Sequence, residues 1–305
     1  MPSDQLVVLN KDDDTLSIID VESGETVTTV DTAFNPHEVV VGPDGEYVYV
    51  TCSLGGKLQV FETGEWGLEA TIEHERFDFP HGLAIRESAN ELWLVATYSS
   101  YVFVIDLESL EFLDVFPTHQ DKSHMVALDP HEDLAYIANI GSDSVTIVDC
   151  DARAVIADPP VGEGPEGIAV HPEAGVLVAN QDDGRLSVID PESKADVNMA
   201  LLGETPIRVV IAPEEDVVLV PNRESNDVSV IDPTFERGGE VRPWEVARIP
   251  VGIWPGGTVF SPDGDTAFVA NNKTNDVSVI DVTDRAEIDR FDTGTHPDGI
   301  AYLSR

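Results

Sequence analysis

Basic residues are scarce in this sequence. Five of its 305 residues are Lys, and Lys and Arg together number 17 against 58 Asp and Glu, a formal net charge of −41. A nucleic-acid partner is not expected, because phosphate binding needs a basic stripe and none is present. Cysteine is rarer still. Cys52 and Cys150 fall two repeats apart in the organisation described below, so no disulfide is expected and two free thiols fit a reducing compartment. No apolar run reaches the length of a transmembrane helix. The opening "MPSDQLVVLN" has no basic region followed by an apolar stretch. A cytoplasmic location is therefore expected, an exported form with a removed leader being the alternative. No stretch carries a helical period, and no nucleophile elbow, phosphate loop or dinucleotide fingerprint occurs in a suitable context.

The acidic residues form no single block. They are spread along the chain and concentrate in turns, between strands of ordinary hydrophobicity, and 42% of the residues are apolar. That pattern describes a folded protein with an acidic surface, as in proteins of salt-loving organisms, where salt screens the self-repulsion. A calcium-loaded surface is the other reading of such acidity. No Asp-x-Asp-x-Asp-Gly loop with a closing Glu supports it.

Self-similarity dominates the rest. One landmark closes an apolar run: Asp20, Glu62, Asp106, Asp149, Asp190, Asp232 and Asp281. A second ends another strand: Asn10, Cys52, Thr97, Asn139, Asn180, Asn222 and Asn271. A third is a proline opening a short strand at 36, 80, 165, 206, 255 and 297, with Ser123 in the remaining slot. The steps are 41 to 45 residues, with one of 49 that takes in the insertion "PTFERGGEVRPWEVARIP". Each period reads as four short strands with turn punctuation, which predicts an all-β, seven-bladed β-propeller of four-stranded antiparallel blades. The chain starts at a second strand and ends at a first, so residues 297–303 are expected to join 5–31 and close the ring. The remaining blades are expected at 36–73, 80–117, 124–157, 165–202, 206–251 and 255–292, all in one domain.

On these motifs the sequence resembles the YVTN-repeat family of β-propellers. The family tetrapeptide appears as "YVTC" (49–52), "YIAN" (136–139) and "FVAN" (268–271), followed by "VSVID"-type strands and segments such as "PEGIAV". The resemblance covers essentially the whole chain and is specific for fold. It says little of activity, since surface-layer-type proteins, lactonases, lyase-like enzymes and non-catalytic binders all look similar.

Blade connectivity sorts the histidines. His131 and His171 belong with first hairpin turns, on one face of the disc. His37, His74, His81, His119, His124 and His296 belong with the opposite face, here the top. His37, His81 and His124 also share one slot, immediately after the proline position, on three consecutive blades. Around the ring that slot reads Asp298, His37, His81, His124, Glu166, Ile207, Gly256. Three imidazoles beside carboxylates suit a transition metal such as Zn, Cu or Fe, with Glu166, Asp298 and His296 as additional ligands. The alternative is that these histidines satisfy backbone groups or line a wet channel. Arg208, Trp254 and Tyr98 (with Tyr101 beside it) are candidates for a ligand pocket, and the repeated Asp landmarks read as turn caps. The expected function is a binding or scaffold propeller with a metal ion or small molecule at the mouth of its channel, a protein partner on its top face being a further option. The alternative is a metal-dependent lactonase- or lyase-type enzyme, with His81 or His124 as general base and Arg208 orienting a carboxylate.

Overall fold

A computed structural model describes residues 3–129, 131, 133–190, 192–237 and 240–305. Seven four-stranded antiparallel sheets follow one another around a ring, each running from an inner strand outward. The first blade is closed as expected: the last strand, Pro297–Leu303, pairs with Gln5–Asn10 from Asn10↔Pro297 to Gln5↔Leu303. The long step is a two-stranded ribbon, Glu236–Arg237 with Glu240–Val241, inserted between the third and fourth strands of blade 6. The one helical turn among the described residues is a 3-10 turn at Glu87–Ala89, in the first hairpin of blade 3.

The core is distributed. Seven apolar clusters each lie between two neighbouring blades, from Val7, Leu9, Val48 and Val50 between blades 1 and 2 to Leu6, Val8, Phe268 and Val277 between blades 7 and 1. Second and third strands are therefore buried on both faces, as in Glu91–Ala96 and Ser144–Asp149. A lone blade would leave both apolar faces wet, and only a closed ring covers them. Phe61 and Phe103, both fully buried in such clusters, each contribute roughly 1.5–3 kcal/mol.

The repeated polar residues have local duties. Each residue of the Asp landmark accepts a backbone N–H in the turn that follows, for example Ser23 N to Asp20 Oδ1 (2.8 Å), Ala152 N to Asp149 Oδ1 (2.8 Å) and Asp284 N to Asp281 Oδ1 (2.7 Å). The Asn landmark ties second strand to third: Asn10 donates to Ser17 Oγ (2.9 Å), Asn139 to Thr146 Oγ1 (3.0 Å) and Asn222 to Ser229 Oγ (2.8 Å). Cys52 replaces Asn in blade 2 and still reaches the third strand, donating to Gln59 Oε1 (3.5 Å), whereas Thr97 in blade 3 meets His124 Nδ1 of the next blade instead. Both cysteines are buried and unbridged.

Candidate functional site at the channel mouth

The residue before the proline slot is left-handed in all seven blades, with φ between 52° (Lys122) and 64° (Gly164). Six of the seven are not glycine, and each accepts a cost of about 1 kcal/mol to hold that shape. Side chains of the preceding blade fix several of them: Asp14 Oδ1 accepts Asn35 N (2.7 Å), and Asn226 Oδ1 accepts Trp254 N (3.0 Å). Just after the slot the ladder slips. Pairing jumps from Pro36↔Cys52 to Glu38↔Thr51, and from Pro80↔Ala96 to Leu83↔Leu94, with like shifts in blades 1, 4, 5 and 7. Such bulges re-aim side chains. Here they aim them at the axis, and all seven residues of the shared slot line one cavity of about 330 Å³.

Close packing of backbones brings the blades to the hub. A Cβ on Gly82 would stand 2.4 Å from the His124 carbonyl oxygen, and one on Gly257 would stand 2.0 Å from that of Asp298. The same slot holds Glu38 and Arg208 in blades 2 and 6. Their side chains meet in an ion pair spanning the ring.

The three histidines come together, but not around a common point. His81 and His124 stack with centroids 3.7 Å apart and planes 27° from parallel, and His37 lies tilted at 58° with its centroid 4.9 Å from that of His81. The stacked pair turns ring faces, not nitrogens, to each other. Among the described residues no group of three His, Cys, Asp or Glu side chains is arranged to hold a metal ion. The donor set as placed does not fit the expected transition metal. His37 donates from Nδ1 to Asn35 Oδ1 (3.2 Å), while Thr97 Oγ1 and His124 Nδ1 lie 2.9 Å apart. His81 is 2% exposed and its Nδ1 has no hydrogen-bond partner.

Burial keeps all three rings neutral near pH 7. It pushes His37 down to about 4 against the pull of Asp298. It holds His81 and His124 well below the usual range, with further repulsion from His124 on His81 and from Arg208 on His124. Burial raises Glu38 to about 7 in opposition to Arg208, and it raises Glu166 in opposition to Arg223. Asp298 behaves differently. Burial opposes its charge too, but neighbouring cations outweigh that and lower its pKa. Because His37 is already neutral at pH 7, Lys11 at 2.8 Å is the main partner that keeps Asp298 ionised.

Arg208, Trp254 and Tyr98 all line the cavity as expected from sequence. Arg208 is engaged by Glu38 rather than free to take a ligand carboxylate alone. His296 stays outside, where its Nδ1 meets Asp12 Oδ2 at 2.5 Å on the rim. Tyr101 also lies away from the cavity, under the Arg76 guanidinium (4.5 Å to the ring centroid). Sequence reasoning missed Glu38, Lys11, Lys122, Arg223, Thr97 and Phe79. Reading every slot for charge, rather than for histidine alone, would have found Glu38 and Arg208 in a position otherwise held mostly by glycine. It would also have found Lys11 and Arg223 immediately after the Asn landmark.

No family model matches the sequence, and no curated protein matches it. Solved structures do. A functionally unknown protein from Desulfotomaculum acetoxidans superposes with a TM-score of 0.84 at 15% identity, covering 99% of both chains. Kuenenia stuttgartiensis hydrazine synthase gives 0.80 at 19% identity over 91% of this chain and 92% of that one. A putative 6-phosphogluconolactonase from Bacteroides fragilis gives 0.76 at 14% identity over 99% and 98%. At these identities the likeness is one of fold, and the class is the seven-bladed β-propeller. Among the described residues no helix is long and apolar enough to cross a membrane.

Proposed function

We propose that this is a small-molecule-binding propeller of the YVTN-repeat type, and that the channel mouth is its ligand site. One observation carries the reading. Seven blades deliver the residue after their proline slot to a single cavity of about 330 Å³, and one of those residues, His81, is buried with an unpartnered ring nitrogen. A buried polar atom without a partner is costly unless something meets it. Arg208, paired with Glu38, lines the cavity, and Trp254, Phe79 and Tyr98 supply apolar wall. Thermal-shift and calorimetric screening of charged and neutral small molecules against wild type and Trp254→Ala tests the reading. Binding that weakens in the variant supports it. Binding unchanged by both Trp254→Ala and His124→Gln removes it.

A second reading is hydrolysis of a lactone, a reaction class named for one of the similar folds. It is favoured by the neutral His124: in the tautomer that donates Nδ1–H to Thr97 Oγ1, Nε2 is free to act as a base. That nitrogen would take a proton from water as the water oxygen attacks the carbonyl, and return it to the ring oxygen as the ring C–O bond breaks. Equal lactone turnover in wild type and His124→Gln sinks this reading. Metal loading of the three imidazoles is tested separately by elemental analysis of protein purified without a metal column. Less than about a tenth of an equivalent of transition metal removes it.

A further inference from the structure

We infer that the ligand of the channel mouth is a small oxyanion, a molecule bearing a carboxylate or phosphate group. The inference rests on the proposal that this cavity binds a ligand. It starts from an inversion of charge. The chain has 58 acidic and 17 basic residues, so a basic side chain chosen anywhere is surrounded by candidate partners. Yet Lys11, Lys122, Arg208 and Arg223 all line this one cavity. Lys273 sits at its edge, with Nζ 4.5 Å from the centre of the Trp254 ring.

Two of these cations, Lys122 and Lys273, are not consumed by the protein. Among the described residues, neither Lys122 nor Lys273 has a carboxylate within salt-bridge distance, although both lie on a face rich in Asp. Arg223 forms a looser ion pair with Glu166 at 3.6 Å, and its guanidinium lies 5.8 Å from the centre of the Trp254 ring. Arg208 and Lys11 are paired, to Glu38 and Asp298. The cations come from blades 1, 4, 6 and 7, so they encircle the mouth rather than cluster on one blade.

The acids are outnumbered. Two carboxylates, Glu166 and Asp298, line the cavity against four basic side chains, and Glu38 is taken up by Arg208. Burial holds the three imidazoles below their ordinary pKa, so they add no firm charge. The mouth is thus a basic opening in a molecule of net charge −41, and a cleft with an excess of one sign concentrates the opposite ion. His81 lines the same cavity, and its Nδ1 is buried without a partner. The volume, about 330 Å³, is at the small end of ligand pockets and excludes a polymer.

Three probes sharing one phenyl ring test this: phenyl phosphate, benzoate and benzyl alcohol, titrated calorimetrically at fixed ionic strength. Wild type is expected to bind at least one anion about tenfold or more tighter than benzyl alcohol. The tighter anion identifies phosphate or carboxylate. Lys122→Gln combined with Arg223→Gln is expected to weaken the anion by a further factor of about ten and leave benzyl alcohol unchanged. Lys57→Gln, at the start of the third strand of blade 2, paired with Glu73 and away from the cavity, is expected to change neither. Because both mouth residues are on the surface, unchanged circular dichroism confirms that the double variant is folded. Benzyl alcohol binding as tightly as the anions, or an anion affinity that survives the double substitution, overturns the inference while the cavity stands as a binding site. If none of the three probes binds, both readings fall.

Discussion

His81 offers the sharpest test of the electrostatics at the hub, because its neutrality is a consequence of position alone. The ring is 2% exposed, stacked on His124, and its nearest carboxylate, Glu38, stands 3.7 Å from Nε2 with its own pKa pushed up to about 7. A proton on His81 would therefore find neither water nor a firm anion. In the unfolded chain the same ring titrates at its ordinary value near 6.5. The folded value is depressed, so the contribution to stability is complete above pH 6.5 and is lost as pH falls. At pH 5.0 the unfolded state gains about 2 kcal/mol from protonating this ring while the folded state gains nothing. His81→Gln keeps a polar side chain that cannot titrate. Urea unfolding of both proteins at pH 7.5 and 5.0, in the same salt, compares them directly, since the carboxylates away from the hub respond alike in each; Glu38, which titrates in this interval beside His81, is controlled by repeating the pair in a Glu38→Gln background. Wild type is expected to lose about 2 kcal/mol more than the variant over this interval. An equal loss in the two proteins would refute the claim that burial keeps His81 neutral.

Other consequences follow from the same geometry. Arg208→Leu strands Glu38 in the hub and is expected to cost about 3–5 kcal/mol by chemical denaturation, with much of the loss recovered in Arg208→Leu/Glu38→Gln. Gly257→Ala places a methyl 2.0 Å from the Asp298 carbonyl oxygen and is expected to destabilise by about 2–4 kcal/mol, read as a lowered urea midpoint. Burial pushes the thiols of Cys52 and Cys150 up to about 12, so a thiol reagent at pH 8 is expected to label neither in the native protein and both in urea. If the acidic exterior is an adaptation to brine, the melting temperature rises steeply with KCl toward 1 M, where the screening length falls to about 3 Å; a flat response removes that reading.

The fold could be read before the structure because a propeller repeats its local rules. Seven Asp landmarks are seven turn caps, seven proline slots are seven entries to inner strands, and apolar strands with no outward polar face demand neighbours on both sides. Register carried the reading into the site: His37, His81, His124, Glu166 and Asp298 share a slot and line one cavity. Orientation was not legible in the same way. Whether three imidazoles turn their nitrogens or their faces to one another depends on bulge geometry and ring packing; here His81 and His124 stack, and His37 lies tilted beside them. His296, one residue before its proline instead of after it, points to Asp12 on the rim.

Sequence alone thus determined the architecture and the ring position of each candidate, because both follow from interactions within one repeat and its neighbour. Only the tertiary structure decided what crosses the axis. Glu38 and Arg208 are 170 residues apart in the chain and belong to non-adjacent blades. Their pairing, and the encirclement of the mouth by cations from four blades, arise from closing the ring, which no local rule specifies.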